Sequence, residues 1–162
     1  FEQPSLVKTV LDCLALHQVP PEMLILEVTE TTAMSNPDES VRVLTELTDA
    51  GVKASIDDFG TGYSSLLYLK RLPACELKID RAFVKELSGE SEDATIVSAI
   101  VALAKTLNLK VVAEGVETEA QQAFLTELGC NTLQGYLLGK PVSAQTIEAL
   151  CARGEMLPGA EQ

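Results

Sequence analysis

Short apolar runs alternate along this chain with longer segments in which apolar residues recur at every third or fourth position. The first long segment, Ser5 to Leu16, carries Leu6, Val7, Val10, Leu11, Leu14 and Leu16, and predicts a helix with Ser5 as its N-cap. Pro20-Pro21 closes the connection. Met23 to Val28 is then an apolar run broken only by Glu27, followed by Thr29-Glu30-Thr31. Asn36-Pro37 opens a second helix with Val41, Leu44, Leu47 and Ala50 on its buried stripe and Gly51 at its end. Val52 to Ile56 predicts a strand that runs into Asp57-Asp58, a loop with Gly60 and Gly62, and a short helix from Ser64 to Arg71. Glu76 to Asp80 predicts the next strand, with Glu76, Lys78 and Asp80 on one face and Leu77 and Ile79 on the other. A helix over Asp93 to Leu107, with Ile96, Ile100, Leu103 and Leu107 as its stripe, leads to the strand Val111-Val112-Ala113 and to Glu114-Gly115-Val116-Glu117. Thr118 to Leu128 is a helix, Thr132 to Tyr136 the last strand, and Ser143 to Cys151 the last helix.

The predicted order is one helix and then five strand-plus-helix units. Such alternation implies a parallel sheet with helices packed outside it. The 162 residues are 46% hydrophobic and 22% charged, which fits one domain with a packed core. The net charge of −12 argues against a nucleic-acid polymer as partner, and an anionic substrate would need bound cations to offset it. Cys13, Cys75, Cys130 and Cys151 show no C-x-x-C spacing and His17 is the one histidine, so a Cys/His zinc site is not expected. The thiols are expected reduced and mostly buried in a cytoplasmic protein, and His17 is expected on the surface at a helix end. No apolar run reaches the ~18 residues of a membrane span. The opening at Phe1, without a methionine, suggests part of a longer chain.

The polar residues that interrupt the apolar strands fall at or near the strands' C-terminal ends: Glu27, Asp57 with Asp58, Lys78 with Asp80, Glu114 with Glu117, and Gln134. Each marker is about one strand–helix unit from the next. In a parallel barrel that rim is where active sites are built. Neighbouring strand residues point to opposite faces, so Asp57 and Asp58 can share a site only if the strand ends there and Asp58 lies in the turn. Clustered carboxylates need compensating cations, and an oxygen-rich donor set favours Mg²⁺ or Mn²⁺. Two such ions are a common device for hydrolysing a phosphodiester. Asp57 could bridge them, with Glu27 on one side and Asp58 on the other. Lys78 could hold the attacking water or offset transition-state charge, and Glu114 could ligate a metal or deprotonate that water. Each residue also has a plainer reading. Glu27 could be an edge-strand charge and Lys78–Asp80 an intra-strand ion pair. Glu114 and Glu117 could be helix-start acids, and Gln134 could satisfy backbone groups. Their common position at one end of successive strands favours a site.

Glu-Val-Thr-Glu at 27–30, Asp-Asp-Phe-Gly-Thr-Gly-Tyr-Ser-Ser-Leu at 57–66, Leu-Lys-Ile-Asp at 77–80, Ala-Glu-Gly-Val-Glu at 113–117 and Gln-Gly-Tyr at 134–136 resemble, in order and spacing, the EAL-domain cyclic-di-GMP phosphodiesterases. The resemblance implies a TIM-like (β/α) barrel, here a partial barrel of about five strand–helix units, with two Mg²⁺ or Mn²⁺ ions and hydrolysis of cyclic di-GMP to linear pGpG. It implies Glu27, Asp57 and Asp58 as metal ligands, and Lys78 and Glu114 as the groups that position or activate water. Glu30 would hold the Asp-Asp loop, Glu117 would be a second acid near substrate, and Gln134 would support the site. Asp80 and Gln134 are the candidate substrate contacts. It further implies a homodimer through the segment after Asp58 and attached sensory or cyclase domains.

Residues 1–152 then read as the C-terminal portion of such a domain and 153–162 as a flexible tail. The family's Glu-Ala-Leu motif and the Asn of its next strand would lie before Phe1. An eight-unit barrel takes about 200–250 residues, so this piece alone is expected to bind metal and substrate poorly. Two rivals stay open: a cyclic-di-GMP receptor or barrel fragment without catalysis, and an unrelated metal-dependent barrel enzyme of the aldolase or enolase kind.

Overall fold

Five parallel strands, paired in the order in which they occur in the chain, form one sheet. The structure, a computed structural model, describes residues 5–62, 66–87 and 91–154. The strands are β1 (Ile25–Thr29), β2 (Lys53–Phe59), β3 (Glu76–Ile79), β4 (Lys110–Glu114) and β5 (Thr132–Gln134). Helix α1 (Leu6–Leu16) precedes them. Helices α2 (Glu30–Ser35) and α3 (Pro37–Asp49) follow β1, and α4 (Leu66–Leu69) follows β2. Helices α5 (Arg81–Lys85) and α6 (Glu92–Thr106) follow β3, α7 (Glu119–Leu128) follows β4, and α8 (Ala144–Arg153) follows β5. Strand-then-helix repetition with parallel neighbours is the arrangement of a TIM-like barrel wall. Among the described residues β1 and β5 each pair on one side only, so the wall is an open arc of five strands.

The period of two along each strand separates two faces. Val28, Ala54, Ile56, Leu77, Ile79, Val111 and Ala113 are buried against the helices, where they meet Leu44, Val84, Val97, Val101, Ala104 and Leu125. Glu27, Ser55, Asp57, Lys78, Glu114 and Gln134 alternate with them and occupy the concave side. A second cluster, Leu14, Val43, Leu47 and Val52, packs α1 onto α3.

Local chemistry sets the helix ends. The Asn36 side chain accepts from the Glu39 amide, with Pro37 in the first turn. Gly51, at φ +97°, reverses the chain into β2. Thr118 and Gln121 form a reciprocal capping box at the start of α7.

Several expectations are corrected. Residues 30–35 form a helix, capped by the Thr29 side chain accepting from the Thr32 amide. Residues 81–85 form another, capped by Asp80. Both are short, and a helix of less than two turns leaves little periodicity to read. Strand β2 does not end at Ile56 but runs to Phe59, and β5 stops at Gln134 rather than Tyr136. On α6 the buried residues are Ala94, Val97, Ile100, Val101 and Ala104, while Ile96 is exposed; a helix apolar almost all round gives no unique stripe. Only Leu14 of α1 is buried, and Leu16 is exposed. The start expected for α4 at Ser64 falls outside the described residues; of the tail expected over 153–162, Arg153 instead closes α8 and Gly154 caps it, and residues 155–162 lie outside the described residues. His17 sits, as expected, exposed at the end of α1.

The cysteines also differ from expectation. All four are free, but Cys13 and Cys151 are exposed and Cys75 and Cys130 only half-buried. Burial pushes the Cys130 thiol up to about 11 and raises Cys75, where the Glu76 charge adds to the effect. The thiolate is the reacting species. Alkylation with iodoacetamide at pH 8, followed by peptide mass spectrometry, is therefore expected to modify Cys13 and Cys151 first, with Cys130 slower by about tenfold or more.

No helix among the described residues is long and apolar enough to cross a membrane.

Candidate active site

A bulge in β2 builds the centre of the site. Ile56 pairs with Leu77 and Phe59 with Ile79, so Asp57 and Asp58 together oppose the single residue Lys78. Asp58 takes up the extra length with a left-handed backbone, φ +53°, and its amide donates to Asp57 Oδ1 at 3.0 Å. Asp is among the residues that tolerate this conformation best. The sharing of one site by adjacent carboxylates, expected from a strand end, is achieved instead by a bulge inside a strand.

The Lys78 side chain, 7% exposed, rises into this acidic rim. Its Nζ lies 2.7 Å from Glu27 Oε1, 2.7 Å from Glu114 Oε1 and 3.3 Å from Asp57 Oδ1. Burial by itself would lower the Lys78 pKa, but hydrogen bonds to Glu114, Glu27 and Asp57 overcome it and hold the ammonium above its usual range. Asp58 is raised, first by burial and then by the charges of Asp57, Asp80 and Glu114. The rim thus carries more negative charge than one ammonium neutralises.

Among the described residues no three Asp, Glu, His or Cys side chains stand together as a ready metal cage. The carboxylates close on Lys78 instead. The chemistry of the donors nevertheless fits a hard divalent cation. They are all oxygens, they are in charge excess, and the charges of Asp57, Asp80 and Glu114, which add to burial in raising Asp58, are ones that another positive charge would offset.

Beside this cluster, Arg81, Glu114, Gly115, Glu117, Gln134, Gly135 and Tyr136 line a cavity of about 220 Å³. Glu114 and Gln134 are register partners on β4 and β5, so they enter it side by side. Glu114 therefore belongs both to the lysine cluster and to the cavity. The cavity wall is tight: a Cβ on Gly115 would stand 2.6 Å from Arg81 Cβ.

Glu30 lies beneath the loop that follows the bulge. It is buried, and its Oε2 accepts from the Gly60 amide at 2.8 Å. Gly60 has φ +101°, and a Cβ there would meet the Phe83 ring at 2.8 Å.

The structure brings Glu27, Asp57, Lys78 and Glu114 into direct contact, sets Asp58 and Asp80 beside them, and groups Glu117 and Gln134 with Glu114 in the cavity. Glu30 supports the loop from outside this contact set. The suggested Lys78–Asp80 ion pair is not formed. Asp80 Oδ1 caps α5 by accepting from Ala82 at 2.8 Å, while Lys78 serves the other carboxylates. Two residues of this region were not singled out from sequence, Arg81 and Gln121. Arg81 follows a strand-end Asp directly and Gln121 stands three residues after Thr118, the spacing of a capping box, so each had a local signal. The string Glu148-Ala149-Leu150 lies within α8 and takes no part in the rim.

The arc of parallel strands with an acidic, lysine-centred rim defines a segment of a TIM-like barrel with a polar site at its C-terminal face. This chain belongs to the EAL domain family, whose profile matches residues 1–141. It is 63% identical over 152 residues to the bifunctional diguanylate cyclase/cyclic di-GMP phosphodiesterase MucR of Pseudomonas aeruginosa, covering 94% of this chain and 22% of that protein. A solved structure of the PaMucR phosphodiesterase in complex with c-di-GMP superposes with a TM-score of 0.87 at 64% identity, over 90% of this chain and 59% of that one. A manganese/cyclic-di-GMP complex of Klebsiella pneumoniae BlrP1 superposes with a TM-score of 0.78 at 35% identity, over 86% of this chain and 36% of that one. The chain thus spans about a fifth of the length of the MucR protein, and solved EAL structures hold divalent metal.

Proposed function

We propose that this chain carries the C-terminal part of the catalytic domain of a metal-dependent phosphodiesterase that hydrolyses cyclic di-GMP to linear pGpG. The observation that carries this reading is the convergence of Glu27, Asp57 and Glu114, from three strands, on the buried ammonium of Lys78. The likeness to MucR and to a cyclic-di-GMP complex supports the substrate.

Each residue then has a task. Glu27, Asp57 and Asp58 would hold Mg²⁺ or Mn²⁺, which supplies Lewis acidity and acidifies bound water. Lys78 is a fixed positive charge where negative charge grows on the phosphoryl oxygens, in a place where little solvent screens it. Glu114 is positioned to take a proton from the attacking water. Gln134, Glu117 and Arg81 line the cavity that would receive part of the substrate, and Asp80, the cap of α5 next to Arg81, would be a further substrate contact. Glu30 keeps the loop after Asp58 in place through Gly60. Leu66 and Leu67, 59% and 69% exposed on α4, are the surface through which two copies would pair. Sensory or cyclase domains would accompany this one in the whole protein; the relative MucR, of which this chain covers 22%, is named as a diguanylate cyclase as well as a phosphodiesterase. The free thiols suit the cytoplasm.

The test is product analysis. Full-length protein with cyclic di-GMP and Mn²⁺ is expected to release pGpG, and Asp57→Ala to lower the rate by at least about 10²-fold. Binding of cyclic di-GMP without pGpG would replace this reading by the receptor one.

A further inference from the structure

We propose that Gln121 is a positioning residue for this reaction, fixing the strand-end loop that carries Glu114 and Glu117 onto helix α5. The inference rests on the phosphodiesterase reading for its kinetic half only.

Gln121 is 5% exposed, although it stands in the first turn of a helix otherwise begun by exposed residues. Burying a carboxamide costs free energy unless its donors and acceptor are used. Here all are. Its Oε1 accepts from the Glu117 amide at 2.8 Å and from the Thr118 amide at 3.0 Å. Its Nε2 donates to Val84 O at 3.0 Å and to Lys85 O at 3.3 Å, 37 and 36 residues away along the chain. A capping box needs only the bond back to the Thr118 amide. The bonds to α5 exceed what helix capping requires, and they tie two separate strand–helix connections together.

Both connections serve the site. The loop from Glu114 to Glu117 delivers two carboxylates to the cavity, and α5 begins with Arg81, which lines the same cavity, next to Asp80. The loop is fastened to β5 at its middle, where the Val116 amide donates to Gln134 O at 3.1 Å and Val116 O accepts from Leu137 at 3.0 Å. Gln121 fastens its far end. Removing it frees Glu117 and loosens Arg81 relative to Glu114, while the β4–β5 pairing remains.

The experiment compares Gln121→Met and Gln121→Glu in the full-length protein by backbone amide exchange, thermal midpoint, and kcat and KM for cyclic di-GMP. Methionine keeps the volume and removes every hydrogen bond. Glutamate keeps the acceptor for Glu117 and Thr118. The expected result for Gln121→Met is exchange at residues 117 and 118 faster by roughly tenfold or more, and kcat/KM lower by about 10- to 100-fold, with the folded fraction unchanged. Gln121→Glu is expected to keep the exchange protection at residues 117 and 118 but, with a carboxylate oxygen facing Val84 O and Lys85 O in place of the donor, to lose the tie to α5 and lower kcat/KM as Gln121→Met does. Wild-type exchange and kinetics in Gln121→Met overturn the inference, as does an activity loss that follows only the folded fraction. A wild-type protein that makes no pGpG overturns the phosphodiesterase reading and the kinetic half of this inference with it. Faster exchange at residues 117 and 118 in Gln121→Met would still uphold the clamp, and unchanged exchange there would overturn it.

Discussion

Lys78→Met is expected to lower kcat for cyclic-di-GMP hydrolysis by about 10²–10³-fold. The ammonium is held by Glu27, Asp57 and Glu114, so its position is fixed before substrate arrives and costs no reorganisation during the reaction. Methionine fills a similar volume without charge. The substitution also leaves three carboxylates facing one another. Breaking a fully buried ion pair costs about 3–5 kcal/mol. Because Glu27 is half-exposed and Asp57 and Glu114 are 20% exposed, the metal-free variant is expected to lose only about 1–3 kcal/mol. A second readout follows from the same geometry. Mn²⁺ should raise the thermal midpoint of Lys78→Met more than that of the wild type, because the ion restores the missing positive charge. An unchanged kcat together with an unchanged metal-free midpoint would show that the lysine cluster has no part in either chemistry or stability.

Gly135→Ala is expected to be nearly as damaging for a steric reason. A Cβ at position 135 would lie 2.1 Å from Val116 O and 2.2 Å from Val116 N. Both are backbone atoms, and each is already engaged with Gln134 or Leu137, so neither can rotate aside. The β4–α7 loop must move as a unit. Glu114, Glu117 and Gln134 line one cavity across this contact, and a displacement near 1 Å is enough to cost about 10²-fold in rate. Overpacking of this kind costs about 1–3 kcal/mol of stability. Activity within twofold of wild type in a variant of normal thermal midpoint would contradict this account of the loop.

These two predictions show where sequence reading succeeds and where it stops. Glu27, Lys78, Glu114 and Gln134 were legible because each is a polar residue at or near the C-terminal end of a successive strand. Parallel strands place such residues at one rim whatever the details of pairing. The mode by which Asp57 and Asp58 share that rim was not legible. A bulge is a mismatch between two strands, and its position depends on where β3 pairs, which β2 alone does not encode. Helix α5 was missed because five residues carry less than two turns of pattern, and with it went the significance of Arg81 and Gln121. Asp80 looked like a partner for Lys78 because both share a strand face. The start of α5 claimed it as a cap, and the carboxylates of neighbouring strands reached the lysine first. Glycine 135 is visible in sequence as part of Gln-Gly-Tyr, but the contact that requires it, against Val116, joins two strand ends and exists only in the fold.

The central claim is that Glu27, Asp57 and Asp58 form a metal-binding rim around Lys78. It is tested most directly by anomalous diffraction at the manganese edge from crystals of the full-length protein or its EAL domain grown with Mn²⁺. The account predicts anomalous peaks against the carboxylates of Glu27, Asp57 and Asp58, weakened or lost in Asp57→Ala. Manganese bound elsewhere, or a rim still closed on Lys78 at saturating Mn²⁺, would contradict it.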